Sequence, residues 1–589
     1  MNPWLLTDFY KLTHILQYRP ELRELTSYLT PRGSRLKSVD KVVFFGLSAY
    51  VHSYVVENFN KNFFNRPWWD SCNEVKEVLK EGLGYSNEMI AKTINNLYSL
   101  HELGYLPVEI KAVAEGTLVP MGVPCLEIKS TDPKFFWVGQ ALEASLSAAI
   151  WHPMVSATIA REYRKIARGA FAKTVENGID ERVAMCDFSM RGQESNESAV
   201  NASVAWLTSM WNSSTVAARN HIQRVYGECG NVRGLTSTEH SVMTSHACLD
   251  KGDEVPTFKY LFELYKNVSF AAVCDSYDFW NVLTNILPNN FMKEIDERGK
   301  RGVFIGVRHD SAEPVDALCG TIPVLHNVKI LEECSEPNQY RINIMMKDIK
   351  QLEIVDFWRG ELHVKTKFFR HEDKVYRLCT SIGGGPCPES EDNEVGEAYV
   401  DLIPDYELTW EEKGMVETMY EIFGGTVNSK GYKVLNPGIK AVYGDSITIT
   451  RAKKIYERLA AKGFAANNVS LGVGSFSFQA LENEDGTLSP FTRDTFSICV
   501  KCSHSKYYDE NGEIQERFVY KDPKGWSSKK STRGLCQIYF DENGELTYED
   551  EKYENDLIGV NSALIPYFKD GKEYKQNFEE VRRTIDENL

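Results

Sequence analysis

Four short apolar runs in this sequence end on an aspartate. They are ERVAMCD, which ends at Asp187, SFAAVCD at Asp275, GVFIGVRHD at Asp310 and IKAVYGD at Asp445. A carboxylate that follows an apolar run must be solvated, paired or functional, because burying it alone is costly. Four such positions are more than an ordinary core needs, so they indicate chemistry that uses carboxylates.

Basic side chains accompany these carboxylates. Carboxylates and cations in one cleft suit a substrate that carries phosphates and a bridging Mg²⁺, since arginine binds phosphate through its planar fork and lysine as a point charge. A single Arg–Asp pair is more often a surface salt bridge, so only the whole set favours function. The candidate cations are Arg32, Arg191, Arg308, Arg493 and Lys501.

The same apolar runs predict the elements that position these groups. A short apolar run followed by a helical pattern is typical of a buried parallel strand, and in such folds the chemistry lies at the carboxyl ends of the strands. VSLGVGS is a fifth run and ends in a turn at Gly474 and Ser475. We therefore expect an α/β fold, an irregular parallel α/β barrel. Nearer the N-terminus, the pattern predicts a helix over 86–104 and a hairpin over 108–120 that turns at Gly116.

A chain of 589 residues exceeds one ordinary core, so two or three domains are expected. Residues 324–404 alternate like strands, which predicts a β-rich insertion on the barrel. The other predicted domains are a mixed α+β N-terminal domain at 1–140, the barrel at 141–323 and 405–505, and a C-terminal segment at 506–589 that packs on the N-terminal domain.

Composition excludes several classes of protein. The net charge of −16 argues against a nucleic-acid binder, which needs a positive field. The apolar runs fall short of the ~20 residues that span a bilayer, and no signal peptide is evident, so we expect no membrane partner. Thirteen scattered cysteines fit reduced thiols and predict a cytoplasmic protein. The pair Cys499 and Cys502 is weak evidence for zinc.

Nine motifs in order carry a family resemblance. LLTDFYKLTHILQY, FFGL, LPVEIKAVAEGTLVPMG, DFSMRG, TEHS, CDSYDFWN, VRHDSAEPVD, YGDSIT and FTRDTF resemble the nicotinamide phosphoribosyltransferase family, and most of all its bacterial and phage-type branch. The resemblance implies a type II phosphoribosyltransferase that joins nicotinamide to phosphoribosyl pyrophosphate and releases pyrophosphate. It also implies a homodimer with shared active sites, and Mg²⁺ as cofactor.

The resemblance assigns several residues to the pyridine base. Phe188 and a second copy's Tyr10 would sandwich the ring, with Asp8 close to Tyr10. A sandwich suits a flat ring because both faces gain contact. Arg191 and Asp310 match the positions around the pyridine and its carboxamide.

Other matched positions surround the ribose and the phosphates. Amides exposed at a glycine-containing turn form a nest for an anion. We expect no dedicated metal cage, with Mg²⁺ held mainly through the pyrophosphate. The matched positions are Arg308 and Asp275 at the ribose and base edge, Gly444 and Asp445 at the ribose hydroxyls, Gly474 and Ser475 at the 5′-phosphate, and Arg32, Arg493 and Lys501 around the phosphates.

His240 in STEHS matches the histidine that family members phosphorylate with ATP, which makes ATP a possible activating phosphoryl donor. A histidine can accept a phosphoryl group as a nucleophile. With His240, we expect Asp275, Arg308 and Asp310 to form the catalytic set. The alternative for His240 is a buried histidine that Glu239 fixes by a hydrogen bond.

Departures from the family pattern leave the substrates open. Members that prefer the amide carry a GTDT motif, whereas this chain has NSST and places Ser214 at the aspartate position. Nicotinate is therefore an alternative base. His309 replaces a proline and Ala312 a glycine. ADP-ribose pyrophosphate is an alternative donor, which would give NAD directly.

Two functions of other classes explain the residues less well. A barrel glycosidase also uses paired carboxylates but gives no role to the cations. A catalytically silent binding protein on the same scaffold predicts loss of the cations or of the strand-end carboxylates. Neither group is lost in this sequence.

Overall fold

The computed structural model describes residues 1–228, 230–383, 392–444, 446–483, 486–522 and 531–589. These residues form two compact units. The first unit contains Met1–Glu162, Ser189–Arg233 and Ser475–Leu589. The second unit contains Tyr163–Phe188 and Gly234–Gly474.

A seven-stranded antiparallel sheet forms the centre of the first unit. Its strands, numbered along the whole chain, lie in the spatial order β25 (Ile514–Phe518), β24 (Ile498–Tyr508), β1 (Leu22–Pro31), β5 (Leu126–Ser130), β3 (Val108–Ala112), β28 (Ile565–Lys569) and β29 (Lys572–Glu573). The remaining strands are β2 (Lys41–Val43), which pairs with β4 (Leu118–Pro120), β7 (Asn212–Ser213), β22 (Ala480–Glu482), which pairs with β23 (Leu488–Pro490), and β26 (Leu535–Phe540), which pairs with β27 (Leu546–Lys552).

The predicted hairpin over 108–120 is wrong. Strand β3 pairs with β5 and β28, whereas β4 pairs with β2. Gly116 does turn the chain, with a φ of 93° that favours glycine, but the two strands leave the turn into different sheets. Local alternation therefore identified the strands and not their partners.

Helices surround this sheet. The predicted helix is confirmed as α4, which begins after the cap Ser86, whose hydroxyl accepts from the Met89 amide, and ends at Gly104 in the left-handed conformation. The helices of the first unit are α1 (Phe9–Gln17), α2 (Leu47–Tyr50), α3 (Trp68–Glu77), α4 (Asn87–Leu103), α5 (Val138–Ala141), α7 (Asn196–Leu207), α8 (Val216–Tyr226) and α18 (Phe578–Glu587), while α6 (Glu143–Thr174) runs through both units.

Five parallel strands form the core of the second unit. Their spatial order is β6 (Met185–Asp187), β21 (Val469–Val473), β20 (Ile439–Tyr443), β9 (Ile305–His309) and β8 (Phe270–Val273). Almost all their residues are buried, as expected of parallel strands that are covered on both faces. Each of the five predicted apolar runs is one of these strands, so the predicted parallel α/β fold is confirmed.

The helices of the second unit connect and cover these strands. Helix α13 follows β9, and α17 follows β20, as in βα units. The helices are α9 (His240–Leu249), α10 (Val255–Leu264), α11 (Phe279–Asn281), α12 (Leu287–Lys300), α13 (Pro314–Cys319), α14 (Met346–Ile349), α15 (Trp410–Lys413), α16 (Met415–Phe423) and α17 (Ile449–Ala461).

The predicted β-rich insertion is confirmed and has its own apolar core, which includes Ile342, Leu362, Phe369 and Val400. Its strands are β10 (Val328–Glu333), β11 (Gln339–Met345), β12 (Ile354–Trp358), β13 (Glu361–Val364), β14 (Phe368–His371), β15 (Lys374–Leu378), β16 (Ile382–Gly383) and β17 (Val395–Ile403). A short hairpin of β18 (Gly425–Val427) and β19 (Lys433–Leu435) follows.

The bounds of the two compact units differ from the predicted domain bounds. The predicted division into domains stays a prediction. Residues 189–233 and 475–505, which the sequence analysis placed in the barrel, belong to the first unit. The reason for the second segment is the pairing of β24 with β1. None of the helices in the described ranges combines the length and apolarity that crossing a bilayer requires.

Candidate functional site

Arg308 and Asp310 form an ion pair at the carboxyl end of β9. Arg308 is buried, and its Nε and Nη2 donate to the two carboxylate oxygens of Asp310 at 2.8 and 2.7 Å. Nη1 of Arg308 also donates to the Ser237 hydroxyl at 3.2 Å and lies 3.4 Å from the Thr238 carbonyl. The guanidinium is thus held in one orientation by groups on two chain segments.

Phe188 follows β6 and lies under the same guanidinium. The Arg308 guanidinium carbon is 5.6 Å from the centre of the Phe188 ring. The Phe188 amide donates to the Val473 carbonyl at 2.8 Å, so Phe188 and Gly474 leave adjacent strand ends together. An aromatic face, a cation and a carboxylate therefore lie together at this edge of the sheet.

Asp275 lies next along this edge, after β8. Its Oδ2 accepts three hydrogen bonds, from the Asp310 amide at 3.0 Å and from the Ser311 amide and hydroxyl at 2.8 and 2.7 Å. Burial opposes the charge of Asp275, but these hydrogen bonds and the neighbouring His309 outweigh it and lower its pKa below the ordinary value. Oδ1 is buried and has no hydrogen-bond partner among the described residues.

His240 begins α9 and faces that free oxygen. Its Nε2 is 3.9 Å from Asp275 Oδ1, and its Nδ1 is 3.2 Å from the Ser276 hydroxyl. The His240 side chain is 49% exposed, whereas that of Asp275 is 4% exposed. Glu239 accepts a hydrogen bond from Ser241. The alternative of a buried histidine fixed by Glu239 is therefore wrong, because the side chain is half exposed and its nitrogens face Asp275 and Ser276.

Gly444 closes this row of strand ends. A Cβ atom at Gly444 would collide with Arg308 Nε and Asp310 Oδ1, so the ion pair lies directly against the Gly444 backbone. The next residue, Asp445, falls outside the described residues. Its predicted role at the ribose hydroxyls stays a prediction.

The first unit gathers the three cations predicted to surround the phosphates. Burial raises the pKa of the Cys499 thiol, Arg32, Lys501 and Arg493 each oppose this rise, and the Glu143 carboxylate adds to it. The pairing of β1 with β24 explains the gathering, because it sets Thr30 opposite Cys499 just before Arg32. Arg32 Nε is buried and has no hydrogen-bond partner among the described residues. Lys501 and Arg493 already face carboxylates, Glu143 at 3.7 Å and Asp494 at 3.0 Å, so an anion bound here would compete with these two partners.

Arg191 and Ser475 lie on two turns of the first unit that touch. The turns are Met190–Gly192 and Ser475–Phe478. A Cβ atom at Gly192 would collide with the Ser475 side chain, and Nε2 of the Gln479 side chain donates to the Gly192 carbonyl at 2.7 Å. The glycine of the DFSMRG motif thus allows a close approach of the two turns.

Tyr10, Asp8 and Ser214 are exposed in the first unit. Tyr10 lies in the first turn of α1 and is 58% exposed. The neighbouring Asp8 carboxylate raises the pKa of Tyr10 above its ordinary value. Ser214 lies between β7 and the Thr215 cap of α8.

The sequence analysis missed two groups at the strand ends. Ser311 supplies two of the three donors to Asp275 Oδ2. Tyr443 donates from its hydroxyl to the Ala312 carbonyl at 2.6 Å. Ser311 stands beside Asp310 in the VRHDSAEPVD motif and could have been noticed there, whereas no local pattern links residues 312 and 443.

The described residues contain no group of three or more His, Cys, Asp and Glu side chains that could hold a metal ion. Mg²⁺ bound through phosphate oxygens and water needs only one or two carboxylates from a protein. The free Oδ1 of Asp275 is such an oxygen. The strand ends therefore fit an ion that arrives with a phosphorylated substrate.

Two family models match the chain. The nicotinate phosphoribosyltransferase (NAPRTase) family matches residues 183–350 and 389–555, together more than half of the chain. The nicotinamide phosphoribosyltransferase N-terminal domain matches residues 2–110.

Curated relatives named nicotinamide phosphoribosyltransferase align over most of the chain. The protein of Acinetobacter baylyi is 29% identical, over 100% of this chain and 98% of its own length. That of Xanthomonas campestris pv. campestris is 26% identical, over 92% of this chain and 88% of its own length. A solved structure, human nicotinic acid phosphoribosyltransferase, has a TM-score of 0.47 at 15% identity and covers 98% of this chain and 93% of that chain.

Proposed function

The chain belongs to the nicotinate phosphoribosyltransferase (NAPRTase) family, and we propose that it joins nicotinamide to phosphoribosyl pyrophosphate in NAD salvage. The products are nicotinamide mononucleotide and pyrophosphate. Nicotinamide is the base we propose because the full-length relatives carry that name and the N-terminal domain matches the corresponding model.

The observation that carries this proposal is the group formed by Phe188, Arg308 and Asp310. An aromatic ring offers a stacking face for a flat pyridine, and the paired carboxylate lies beside it. We propose that the Asp310 carboxylate and Arg191 meet the carboxamide, while Arg308 meets the base edge and the ribose.

The reaction builds positive charge on the ribose as pyrophosphate leaves. The strand-end carboxylates Asp275 and Asp310 can stabilise that charge, and the ring nitrogen of nicotinamide attacks without a general base because it carries a lone pair. Arg32, Arg493 and Lys501 would hold the leaving phosphates. Asp275 would hold a Mg²⁺ ion that arrives with the pyrophosphate, and that ion would supply neutralisation of the leaving charge.

A product assay tests the reaction. The purified protein is incubated with Mg²⁺, with nicotinamide or nicotinate, and with phosphoribosyl pyrophosphate or ADP-ribose pyrophosphate, and the products are identified by mass spectrometry. We expect nicotinamide mononucleotide from the first base and the first donor. Nicotinate mononucleotide as the main product would show that the base is nicotinate and not nicotinamide. NAD formed directly would show that the donor is ADP-ribose pyrophosphate and not phosphoribosyl pyrophosphate. No product from any pairing would reject the transferase proposal.

We further propose a homodimer in which Tyr10 of a second copy completes the base site. The support is that Phe9 and Tyr10 are large rings exposed in the first turn of α1. Mixing the inactive variants Tyr10→Ala and Asp310→Asn tests this, because one active site of a mixed dimer would then be intact. Recovery of about a quarter of the wild-type activity is expected from random pairing, and no recovery would contradict shared sites.

We propose that ATP phosphorylates His240. The γ-phosphoryl group would pass to an imidazole nitrogen and ADP would leave. Exposure of the ring, its place at the start of the ten-residue helix α9 and the nearby Ser276 support this. Radiolabel from γ-labelled ATP should appear in the wild type and not in His240→Asn, and equal labelling would contradict the assignment.

A further inference from the structure

Ala312 is held in a conformation that suits glycine. Its φ is 85°, in the left-handed region where an L side chain is strained. It follows Asp310 and Ser311 in the turn after β9, so its conformation decides how that turn leaves the strand. A strained residue persists only where its surroundings hold it, which makes the contacts of this turn informative.

Tyr443 contacts the part of this turn that contains Ala312. Its hydroxyl donates to the Ala312 carbonyl at 2.6 Å, and its side chain is fully buried at the end of β20. The Tyr443 ring stacks on His309 with centres 6.0 Å apart and an interplanar angle of 19°. His309 in turn packs on Phe279 at 4.0 Å. The tyrosine therefore contacts two of the residues that depart from the family pattern, His309 and Ala312.

Asp275 contacts the part of the same turn that contains Asp310 and Ser311. Its Oδ2 accepts from the amides of Asp310 and Ser311 and from the Ser311 hydroxyl. Asp275, which follows β8, and Tyr443, at the end of β20, therefore each hydrogen-bond to a different part of this turn. Asp310 lies between them, and its carboxylate is aimed at Arg308.

We propose that Tyr443 is a positioning residue for Asp310. Its hydroxyl keeps Ala312 in the left-handed conformation and thereby keeps the Asp310 carboxylate on Arg308. Tyr443 touches no substrate in this account. The kinetic consequence rests on the proposed function of Asp310 at the base, whereas the structural consequence does not.

The variant Tyr443→Phe removes the hydroxyl and keeps the ring on His309. Loss of one buried hydrogen bond should lower kcat/KM for nicotinamide about three- to tenfold. KM for phosphoribosyl pyrophosphate should change less than kcat/KM for nicotinamide, because the predicted phosphate cations are on other strands. Amides in a peptide covering 306–315 should exchange hydrogen faster in the substrate-free protein, since the turn is released from one anchor.

A second substitution separates positioning from simple packing. Glycine adopts a positive φ without strain, so Ala312→Gly in the Tyr443→Phe background should restore most of the lost kcat/KM and slow the exchange again. If Tyr443 mattered only for core packing, the substitution Ala312→Gly would not restore the kcat/KM lost in Tyr443→Phe. Tyr567→Phe is the matched control, because Tyr567 is a buried tyrosine whose hydroxyl donates to the Val113 carbonyl at 3.0 Å in the other unit. It should leave both readouts of the 306–315 turn unchanged.

Unchanged exchange over 306–315 in Tyr443→Phe would overturn the proposal, whatever the enzyme turns over. Faster exchange without rescue by Ala312→Gly would overturn it as well, because the strain would then not be what the hydroxyl controls. If the wild type formed no product, the proposed function would fail while the exchange experiment would still decide the role of Tyr443.

Discussion

The guanidinium of Arg308 donates two hydrogen bonds to the carboxylate of Asp310, of 2.8 and 2.7 Å. The two residues are separated by one position at a strand end, which puts their side chains on the same face. Both side chains are mostly shielded from water, so each charge depends on the other. This pair joins the aromatic face of Phe188 to the turn that Asp275 and Tyr443 hold.

Asp310→Asn should therefore damage both activity and stability. Asparagine keeps the shape but leaves the buried Arg308 charge without its partner, which should cost roughly 2–4 kcal/mol of unfolding free energy. Loss of the carboxylate at the base should lower kcat/KM at least about 100-fold. Urea unfolding and steady-state kinetics measure the two effects. Asp401→Asn is the control, because Asp401 pairs at 2.6 Å with the exposed Arg377 and should cost less than about 1 kcal/mol.

Ser214→Asp should move the base preference towards the amide. A carboxylate at this exposed turn would repel the carboxylate of nicotinate and could accept a hydrogen bond from the nicotinamide nitrogen. The ratio of kcat/KM for nicotinamide to that for nicotinate should rise about tenfold or more. Ser214→Ala, which removes the hydroxyl without adding charge, should leave the ratio near that of the wild type. An unchanged ratio in Ser214→Asp would place the discriminating position elsewhere.

Lys501→Met should weaken binding of the donor. Lys501 lies in the cation cluster around Cys499, so KM for phosphoribosyl pyrophosphate should rise about five- to tenfold, and more at low ionic strength. Initial rates at two salt concentrations measure this. Lys506→Met removes a lysine from the same strand that pairs with Glu554 at 2.7 Å, and should leave KM unchanged. Equal effects of the two variants would contradict a dedicated phosphate site.

Ala312→Gly alone should stabilise the protein. Glycine relieves the left-handed strain at φ 85° but loosens the unfolded chain, and the balance should raise the unfolding free energy by about 0.5–1 kcal/mol. Ala317→Gly in the neighbouring helix α13 should have the opposite sign, with a loss of about 1 kcal/mol. Equal destabilisation by both would mean that Ala312 is not strained.

His221 should make stability depend on pH. Burial, followed by repulsion from Arg224 and His52, lowers the pKa of His221 from 6.5 to about 4. The folded state therefore favours the neutral ring, so its contribution is complete above about pH 6.5 and is lost as the pH falls towards 4. The loss should be roughly 1–2 kcal/mol once partial solvent screening is allowed for. His221→Gln should show a flatter profile in urea unfolding between pH 7 and 4.5, whereas His326→Gln, at an exposed histidine, should keep the wild-type slope.

The strand ends could be predicted from the sequence because their signal is local. An apolar run that stops at Asp275 or Asp310 indicates a buried strand and a polar end within a few residues. The same reasoning failed for the stretch 108–120, where the alternation of β3 and β4 was right and their pairing was not. Strand pairing depends on residues far along the chain, and β3 finds its partners at β5 and β28.

The detailed geometry of the site has the same limit. Residues 312 and 443 meet only because β9 and β20 are neighbours, although the whole insertion separates them in the chain. Arg32, just after β1, and Lys501, on β24, lie on neighbouring segments because β1 pairs with β24. The sequence identifies the side chains that take part in the site, but which of them become neighbours depends on how the strands pair.

Gly444 carries a consequence for how this protein can vary. The volume that any side chain would occupy at this position is already filled by Arg308 and Asp310. Even the smallest replacement, alanine, must displace the Arg308–Asp310 ion pair, and a larger side chain must displace it further. In a saturation mutagenesis library selected for growth that depends on nicotinamide as the source of NAD, position 444 should accept glycine alone, and its codon should be among the least tolerant in the gene.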